Sequence, residues 1–324
     1  MAALESELSA NHDGAHVVVV SSGTAALYLS LVGLGLKPGR KVILPSYTCN
    51  ALLCAVWHAR GIPVCADVAG GSVNISASTV RPLMDDSVAA IIAPHMFGCL
   101  ANIDELAGLG VPVIEDCAQA LGGSHRDGAP TGTKGTVSVL SFYATKLLPA
   151  GQGGACVTPD PELAERIRML RACDETAPSP HAFNFRMSDV CAALARAKLA
   201  DLPAALAERR RLADVYDAAF GESSLRRISG GRQSPCFRYL LHIDNDVDAF
   251  LGLSEAEGIM CRRPVWRPLH HTAGGECPAT EALEQTLVSV PLYPGLTSEE
   301  INTVCNRLTP LTAAPPPREK DPGT

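Results

Sequence analysis

Val17-Val18-Val19-Val20-Ser21-Ser22-Gly23-Thr24-Ala25-Ala26 is the stretch on which the fold turns. Four β-branched apolar residues in a row read as a strand covered on both faces, because a half-exposed strand would alternate with polar residues. Ser21, Ser22 and Gly23 end the run, and an apolar helical pattern follows from about Thr24 to Leu34. A strand that passes into a helix through a short polar turn is the building unit of a parallel sheet.

The same order recurs along the chain. Val42 to Leu44 predicts a second strand, and about Thr48 to Arg60 a second helix. Further strands are expected at Pro63 to Asp67, Ala89 to Ala93, Val111 to Glu115, Val137 to Phe142 and Gly154 to Thr158. Helical patterns cover Pro161 to Ala172 and Ser188 to Phe220, the second expected to break near Pro203, whose ring and missing N–H oppose a helix interior. Gly33-Leu34-Gly35 lies at a helix end and reads as a stop signal, not as a dinucleotide fingerprint. The pattern gives an α/β fold with a mostly parallel sheet in a large domain, residues 1–220, and a smaller α+β C-terminal domain, 221–312. The last residues, 313–324, are rich in proline and charge and are expected to be a disordered tail.

Composition narrows the function. The net charge is −7, and no basic face of the kind that grips nucleic-acid phosphates stands out. The densest basic run, Arg209-Arg210-Arg211, follows Glu208 within a helical pattern and is expected to be a solvated helix face. The 12 cysteines are scattered, with no Cys-x-x-Cys pair and no zinc spacing, so buried reduced thiols, a cytoplasmic location and no metal are expected. No apolar run approaches the roughly 18 residues that a membrane span needs. The first residues, Met1 to Leu8, lack the basic and apolar segments of a signal peptide.

Three segments carry candidate chemistry. The turn Ser21 to Ala26 opens a helix, and free N–H groups there, with Gly23 allowing close approach and the Thr24 hydroxyl adding a donor, suit a phosphate. An ordinary capped helix start explains the same residues. Val113-Ile114-Glu115-Asp116 ends a buried strand in two carboxylates, at the strand end where open α/β sheets bind ligands. One carboxylate there can hold a cationic ring nitrogen, or it can simply cap a helix or loop. Ser141-Phe142-Tyr143-Ala144-Thr145-Lys146 takes another strand end to a lysine that can serve as a Schiff-base nucleophile or be a solvated loop residue. Each segment alone leaves both readings open.

Together they resemble the DegT/StrS-type sugar aminotransferases, a family of fold-type-I enzymes dependent on pyridoxal 5'-phosphate (PLP). The matching segments are SSGTAALYLSLVGLGLKPGRKVILPSYT (21–48), PHMFG (94–98), VPVIEDCAQALGG (111–123), SFYATKLLPAGQGGACVTPDPELAERIRMLR (141–171) and NFRMSDVCAALARAKL (184–199). RRPVWRPLHH (262–271) and VPLYPGLTSEEI (290–301) follow in the same order. The resemblance implies that Lys146 carries PLP as a Schiff base and that Asp116 pairs with the pyridine nitrogen. It further implies that Gln119 meets the phenolic oxygen, that Thr24, Ala25 and Ser141 bind the phosphate, and that Asn184 reaches a neighbour's phosphate across a homodimer interface. Arg186 is a weaker candidate for the same reach. Relatives that are dehydratases carry histidine in place of this lysine, so Lys146 favours amino transfer.

The chain departs from the family pattern in three places. Cys49 stands where an aromatic residue usually stacks on the cofactor, and Gln152 replaces a usual glutamate. Much of the segment that precedes the first strand in relatives is missing. His95 matches a family histidine near the cofactor, though a structural histidine explains it more readily. Arg262, Arg263, Trp266, Arg267 and His270 form a basic-aromatic cluster that the resemblance places on a nucleotide-linked keto-sugar; snorkelling surface arginines are the competing explanation. The function expected is amination of a keto group with an amino acid donor such as glutamate. The alternatives are a non-catalytic PLP-binding protein and a PLP enzyme with a small non-sugar substrate.

Overall fold

The computed structural model describes residues 1–174, 179–221, 226–228, 231, 233–243 and 246–312. The tail expected to be disordered, 313–324, lies outside the described residues. Seven strands form the main sheet: β1 (His16–Val20), β2 (Lys41–Pro45), β3 (Ile62–Ala66), β4 (Val88–Pro94), β5 (Val113–Asp116), β6 (Val137–Ser141) and β7 (Gly154–Thr158). Their order across the sheet is β1-β7-β6-β5-β4-β2-β3. β3, β2, β4, β5 and β6 pair in parallel, while β7 runs antiparallel to both β6 and β1. β1 at the sheet edge and β4 and β7 within it are buried along nearly their whole length, which is why they read as unbroken apolar runs.

The helices are α1 (Ala2–Ala10), α2 (Gly23–Gly33), α3 (Ala51–His58), α4 (Ala77–Val80), α5 (Ile103–Ala107), α6 (Pro161–Arg171) and α7 (Asp189–Phe220). After α7 come α8 (Val247–Ala256), α9 (His270–Ala273), α10 (Pro278–Thr286) and α11 (Ser298–Thr312). Leu4 and Leu8 of α1, a helix the sequence pattern does not announce, are fully buried in a core with Val17, Val19, Ala192 and Ala195.

Contrary to the expected break at Pro203, α7 is one helix of 32 residues. Pro203 stands on the exposed face, where water can take the hydrogen bond that the missing N–H leaves open at Leu199. Leu202 and Leu206 hold the other face against the core with Leu121 and Phe237, and that packing outweighs the local preference.

A second sheet, β8 (Arg226–Ile228), β9 (Tyr239–His242) and β10 (Leu287–Val290), is antiparallel in the order β10-β9-β8. It covers a separate core that includes Leu241, Val288, Phe250, Ile301 and Leu308. Leu212, Ala213, Tyr216 and Phe220 of α7 belong to that core too, so α7 is shared by both packing units.

Arg209 corrects the expectation of a solvated basic face. It is 7% exposed, and its Nη1 donates to the carbonyl oxygens of Cys236, Phe237 and Leu292 at 3.2–3.4 Å. Arg210 is exposed, and Arg211 pairs with Glu208 at 2.8 Å. The buried guanidinium fastens α7 to the segments before β9 and after β10, and its burial pulls its pKa down to about 10.

Candidate active site

The carboxyl ends of β1, β2, β5 and β6 meet at one edge of the sheet, the place where α/β folds bind ligands. At β1, Ser22 caps α2: its backbone is extended and its hydroxyl accepts from the Ala25 N–H at 3.0 Å. The first N–H groups of a helix have no partner within it, so those of Gly23 and Thr24 point outward beside the exposed Thr24 side chain. Two close approaches build this corner. A Cβ on Gly23 would stand 2.9 Å from Ser141 Cβ and 3.1 Å from its hydroxyl oxygen. A Cβ on Gly154 would stand 2.7 Å from the Gly23 nitrogen. Glycine at both positions brings the helix start against Ser141, leaving N–H and hydroxyl donors around a space with a partial positive charge. That donor set fits a phosphate.

Asp116 ends β5 and is 6% exposed. One carboxylate oxygen accepts from the Ala118 N–H at 2.9 Å. Burial pushes its pKa above the ordinary range, opposed by the Ala118 hydrogen bond and the charge of Lys146. A cation beside it would keep it ionised.

Lys146 stands half-buried on the loop after β6, with Nζ 5.3 Å from the centre of the Phe237 ring. Burial pulls the amine pKa down, Asp116 and Cys49 pull it up, and Arg238 repels it. A desolvated amine of this kind is a neutral nucleophile at a lower pH than a surface lysine. Cys49 presents surface to the open site, and the protein around its sulfur, with the Asp116 charge, pushes its thiol pKa up.

Gln119 Oε1 accepts from the Phe97 N–H at 2.7 Å, which fixes the amide and leaves its NH2 group free to donate. Phe97 itself has φ +60°, a strained value for a bulky residue, and its carbonyl accepts from the Arg238 N–H at 3.3 Å. The strained residue thus joins Gln119 to Arg238.

The donors, acceptor and amine gathered here fit the chemistry of PLP. The α2 corner suits its phosphate, Asp116 its ring nitrogen, the Gln119 amide its ring oxygen and Lys146 its aldehyde carbon. The observation that decides the fit is the corner itself, a cradle that a single Cβ at Gly23 would fill.

His95 lies beneath the site. It is fully buried, its Nε2 lies 3.0 Å from Glu115 Oε1 and its Nδ1 accepts from the Ala101 N–H at 2.9 Å. Both ring nitrogens are spent inside the protein, so it cannot reach a substrate.

Glu115 is the residue that sequence reasoning passed over. It is fully buried and faces His95, His125, Ser138 Oγ and the N–H groups of Gly132, Lys134 and Gly135, all at 2.8–3.1 Å. These donors outweigh burial and hold its pKa well below the ordinary carboxylate range. The hub ties the 130–135 loop and β6 to the strand that carries Asp116. A buried Glu next to Asp in the sequence was the available signal.

Apart from Arg262, the expected substrate cluster does not converge on Lys146. Arg263 pairs with Asp248 at 2.9 Å and also donates to the Glu284 carbonyl. Trp266 is 83% exposed, and Arg267 donates to the His271 carbonyl. His270 Nδ1 lies 2.5 Å from the buried Ser46 hydroxyl. The arginines in the cleft beside Lys146 include Arg262, a member of the expected cluster, and Arg238, which the sequence did not single out. Asn184 is exposed, its side-chain oxygen accepting from the Arg186 N–H at 3.4 Å, and Arg186 is half-buried.

A seven-stranded, mainly parallel sheet with a half-buried lysine and a buried aspartate at its carboxyl edge, and a helix start packed against Ser141 there, defines a fold-type-I PLP enzyme. The chain belongs to the DegT/DnrJ/EryC1/StrS aminotransferase family, whose model matches residues 1–309. It is a PLP-dependent aminotransferase. It is 33% identical over 321 residues to the erythromycin biosynthesis sensory transduction protein EryC1 of Saccharopolyspora erythraea, covering 93% of this chain and 87% of that one. It is 32% identical over 315 residues to UDP-N-acetyl-3-dehydro-alpha-D-glucosamine 3-aminotransferase of Acidithiobacillus ferrooxidans, covering 92% and 85%. The structure of DesI, determined in the presence of its TDP-sugar product, superposes with a TM-score of 0.89 at 26% identity, covering 96% of this chain and 84% of that one.

Proposed function

We propose that the chain aminates a keto group on a nucleotide-linked sugar, drawing nitrogen from an amino acid such as glutamate. The observation that carries the reading is that buried Asp116 and half-buried Lys146 feel each other's charge at the strand ends that also carry the Gly23–Ser141 corner. Two relatives named for UDP- and TDP-linked sugars favour this substrate class.

When bound, the cofactor supplies an electron sink for the carbanion at the substrate α-carbon. The chain's residues do the rest. The N–H groups at Gly23, Thr24 and Ala25, with Ser141, hold the phosphate. Ala25 contributes least, because its N–H already serves Ser22. Asp116 holds positive charge on the ring nitrogen, and the Gln119 amide donates to the ring oxygen. Cys49 would pack against the ring where relatives place an aromatic side chain.

Lys146 would hold the cofactor covalently, and its amine would move the proton to and from the substrate α-carbon. General acid–base work of this kind contributes about 10²–10⁴-fold.

We read the working unit as a homodimer in which Asn184 approaches the partner's phosphate corner. Phe183, Val190 and Leu194, on and beside the start of α7, are exposed apolar side chains that a second copy would cover. Light scattering that finds a fully active monomer would refute the shared site.

Residues 1–220 and 221–312 serve as the large and small domains, with α7 passing from one core into the other. Among the described residues no helix is long and apolar enough to cross a membrane. The scattered reduced cysteines favour the cytoplasm.

The direct test supplies PLP-loaded protein with glutamate and then with a nucleotide-linked keto-sugar. Glutamate should bleach the yellow enzyme, and the keto-sugar should restore the colour while gaining an amino group by mass. Bleaching by glutamate without turnover of any nucleotide-linked keto-sugar would remove the sugar assignment.

A further inference from the structure

A second cleft, of about 420 Å³, lies between the end of α1, the loop that follows Leu121 and the middle of α7. None of the residues that fit PLP lines it. α7 contributes Leu199, Leu202, Pro203, Leu206 and Arg210, which helical spacings of three and four place along one stripe. Leu8 and Leu121 close the apolar side, and both are held in the core with Leu202 and Leu206. Across from the helix, Gly122, Gly123 and Gly128 present bare backbone, and Pro130 presents a flat ring. The result is a narrow slot, mostly apolar, with a few polar groups at fixed places, which is the make-up of a small-molecule site.

The polar group at its floor is His12, 2% exposed. Its Nδ1 donates to the Leu8 carbonyl at 2.7 Å, because a carbonyl oxygen can only accept. Burial pulls the ring pKa below the ordinary histidine value, against the Leu8 hydrogen bond and the charges of Glu115 and Asp13. The ring is therefore neutral, and its Nε2 is a bare acceptor. Among the described residues nothing donates to it. A buried acceptor left without a donor is costly, so a ligand that brings one gains from filling the slot. Pro203 adds a second acceptor, since its missing N–H leaves the Leu199 carbonyl open between two lining residues.

Charge fixes the other end of the ligand. Arg210 stands exposed at the rim, and among the described residues no acid lines the cleft and no carboxylate pairs with this guanidinium. A hydrocarbon would leave His12 and Arg210 unused, and an ammonium group would meet a cation with no acid beside it. The flat glycine and proline wall opposite leucines suits a ring, which fills a slot with little loss of rotamer freedom.

We propose that this cleft binds a small aromatic hydroxy acid, with its hydroxyl donating to His12 Nε2, its ring between the leucines and the glycine wall, and its carboxylate on Arg210. The site is separate from the one that carries out amino transfer, and its assignment does not depend on the acceptor substrate.

The test is calorimetric titration of PLP-loaded protein with 4-hydroxyphenylacetate. Phenylacetate lacks the hydroxyl, 4-methylphenol lacks the carboxylate, and 6-hydroxyhexanoate lacks the ring. The full probe should bind below millimolar concentration and leave the cofactor absorbance unchanged. Each of the three partial probes should bind at least about fivefold more weakly, or about 1 kcal/mol. Arg210→Gln, an exposed change, should remove the advantage of 4-hydroxyphenylacetate over 4-methylphenol. His12→Phe should remove its advantage over phenylacetate. If His12→Phe does not fold, the ¹⁵N shift of His12 Nε2 in the wild-type protein reads the same contact and should move on binding. Leu199→Trp, which fills the slot, should abolish binding while the cofactor absorbance shows that the variant is folded and loaded.

No binding of 4-hydroxyphenylacetate below millimolar concentration would overturn the proposal. So would binding that Arg210→Gln and Leu199→Trp leave unchanged, or a shifted cofactor band, which would put the acid at Lys146. Equal affinity for 6-hydroxyhexanoate would overturn the aromatic assignment.

Discussion

Gly23→Ala probes the site with a single added methyl group. A Cβ there would stand 2.9 Å from Ser141 Cβ, closer than two carbon atoms pack, and 3.1 Å from the Ser141 hydroxyl oxygen. Ser141 Cβ is fixed to the end of β6, so rotating a side chain does not relieve the contact. Either the start of α2 or the strand end must move by several tenths of an ångström. Overpacking of this kind costs about 1–3 kcal/mol. Alanine's better helix propensity returns up to about 1 kcal/mol, leaving a modest loss of stability. The loss to the cofactor is larger. Parting the helix donors from the Ser141 hydroxyl forfeits at least one charge-assisted hydrogen bond, about 1.5–3 kcal/mol, so PLP should bind roughly 10- to 150-fold more weakly. Absorbance titration gives the affinity, and urea unfolding of the cofactor-free protein gives the stability. An affinity within twofold of wild type, in a variant with normal stability, would refute the placement of the phosphate at this corner.

Asp116→Asn keeps an acceptor for the Ala118 N–H but removes the charge, so PLP should still bind while turnover falls at least ~10²-fold, or ~2.7 kcal/mol of barrier; wild-type rates would exclude its role. Glu115→Gln puts an NH2 group against backbone N–H donors at Gly132 or at Lys134 and Gly135, which should destabilise the fold by about 3 kcal/mol or more in urea. The folded pKa of Glu115 lies well below its ordinary 4.5, so its contribution is complete above that pH and fades as pH falls beneath it. The stability gap between wild type and Glu115→Gln should therefore be constant near neutrality and narrow in acid; a gap that widens in acid would contradict the ionised hub.

Much of the large unit was legible because its strands are buried on both faces. Val17 to Val20 and Gly154 to Thr158 announce themselves as apolar runs, and the structure places strands there. Lys146, Asp116 and Gln119 were legible as positions in a pattern, and the structure brings their strand ends to one edge. What the sequence hid was decided by contacts distant along the chain. Pro203 is tolerated because Leu202 and Leu206 are held by residues elsewhere in the fold. Arg209 is buried because carbonyls 27 to 83 residues away accept from it. The 262–271 run looks like one cluster, yet its side chains diverge to Asp248, Ser46 and solvent. Arg238 carries no motif, and its place beside Lys146 follows from strand β9 returning to the large unit.

The central claim is that Lys146 carries the cofactor. Borohydride reduction of the PLP-loaded protein, followed by proteolysis and mass mapping, tests it most directly. The account predicts one cofactor-bearing peptide, the one containing Lys146, and no label in Lys146→Ala. A reduced label on Lys134, Lys198 or any other lysine, with Lys146 unmodified, would contradict it.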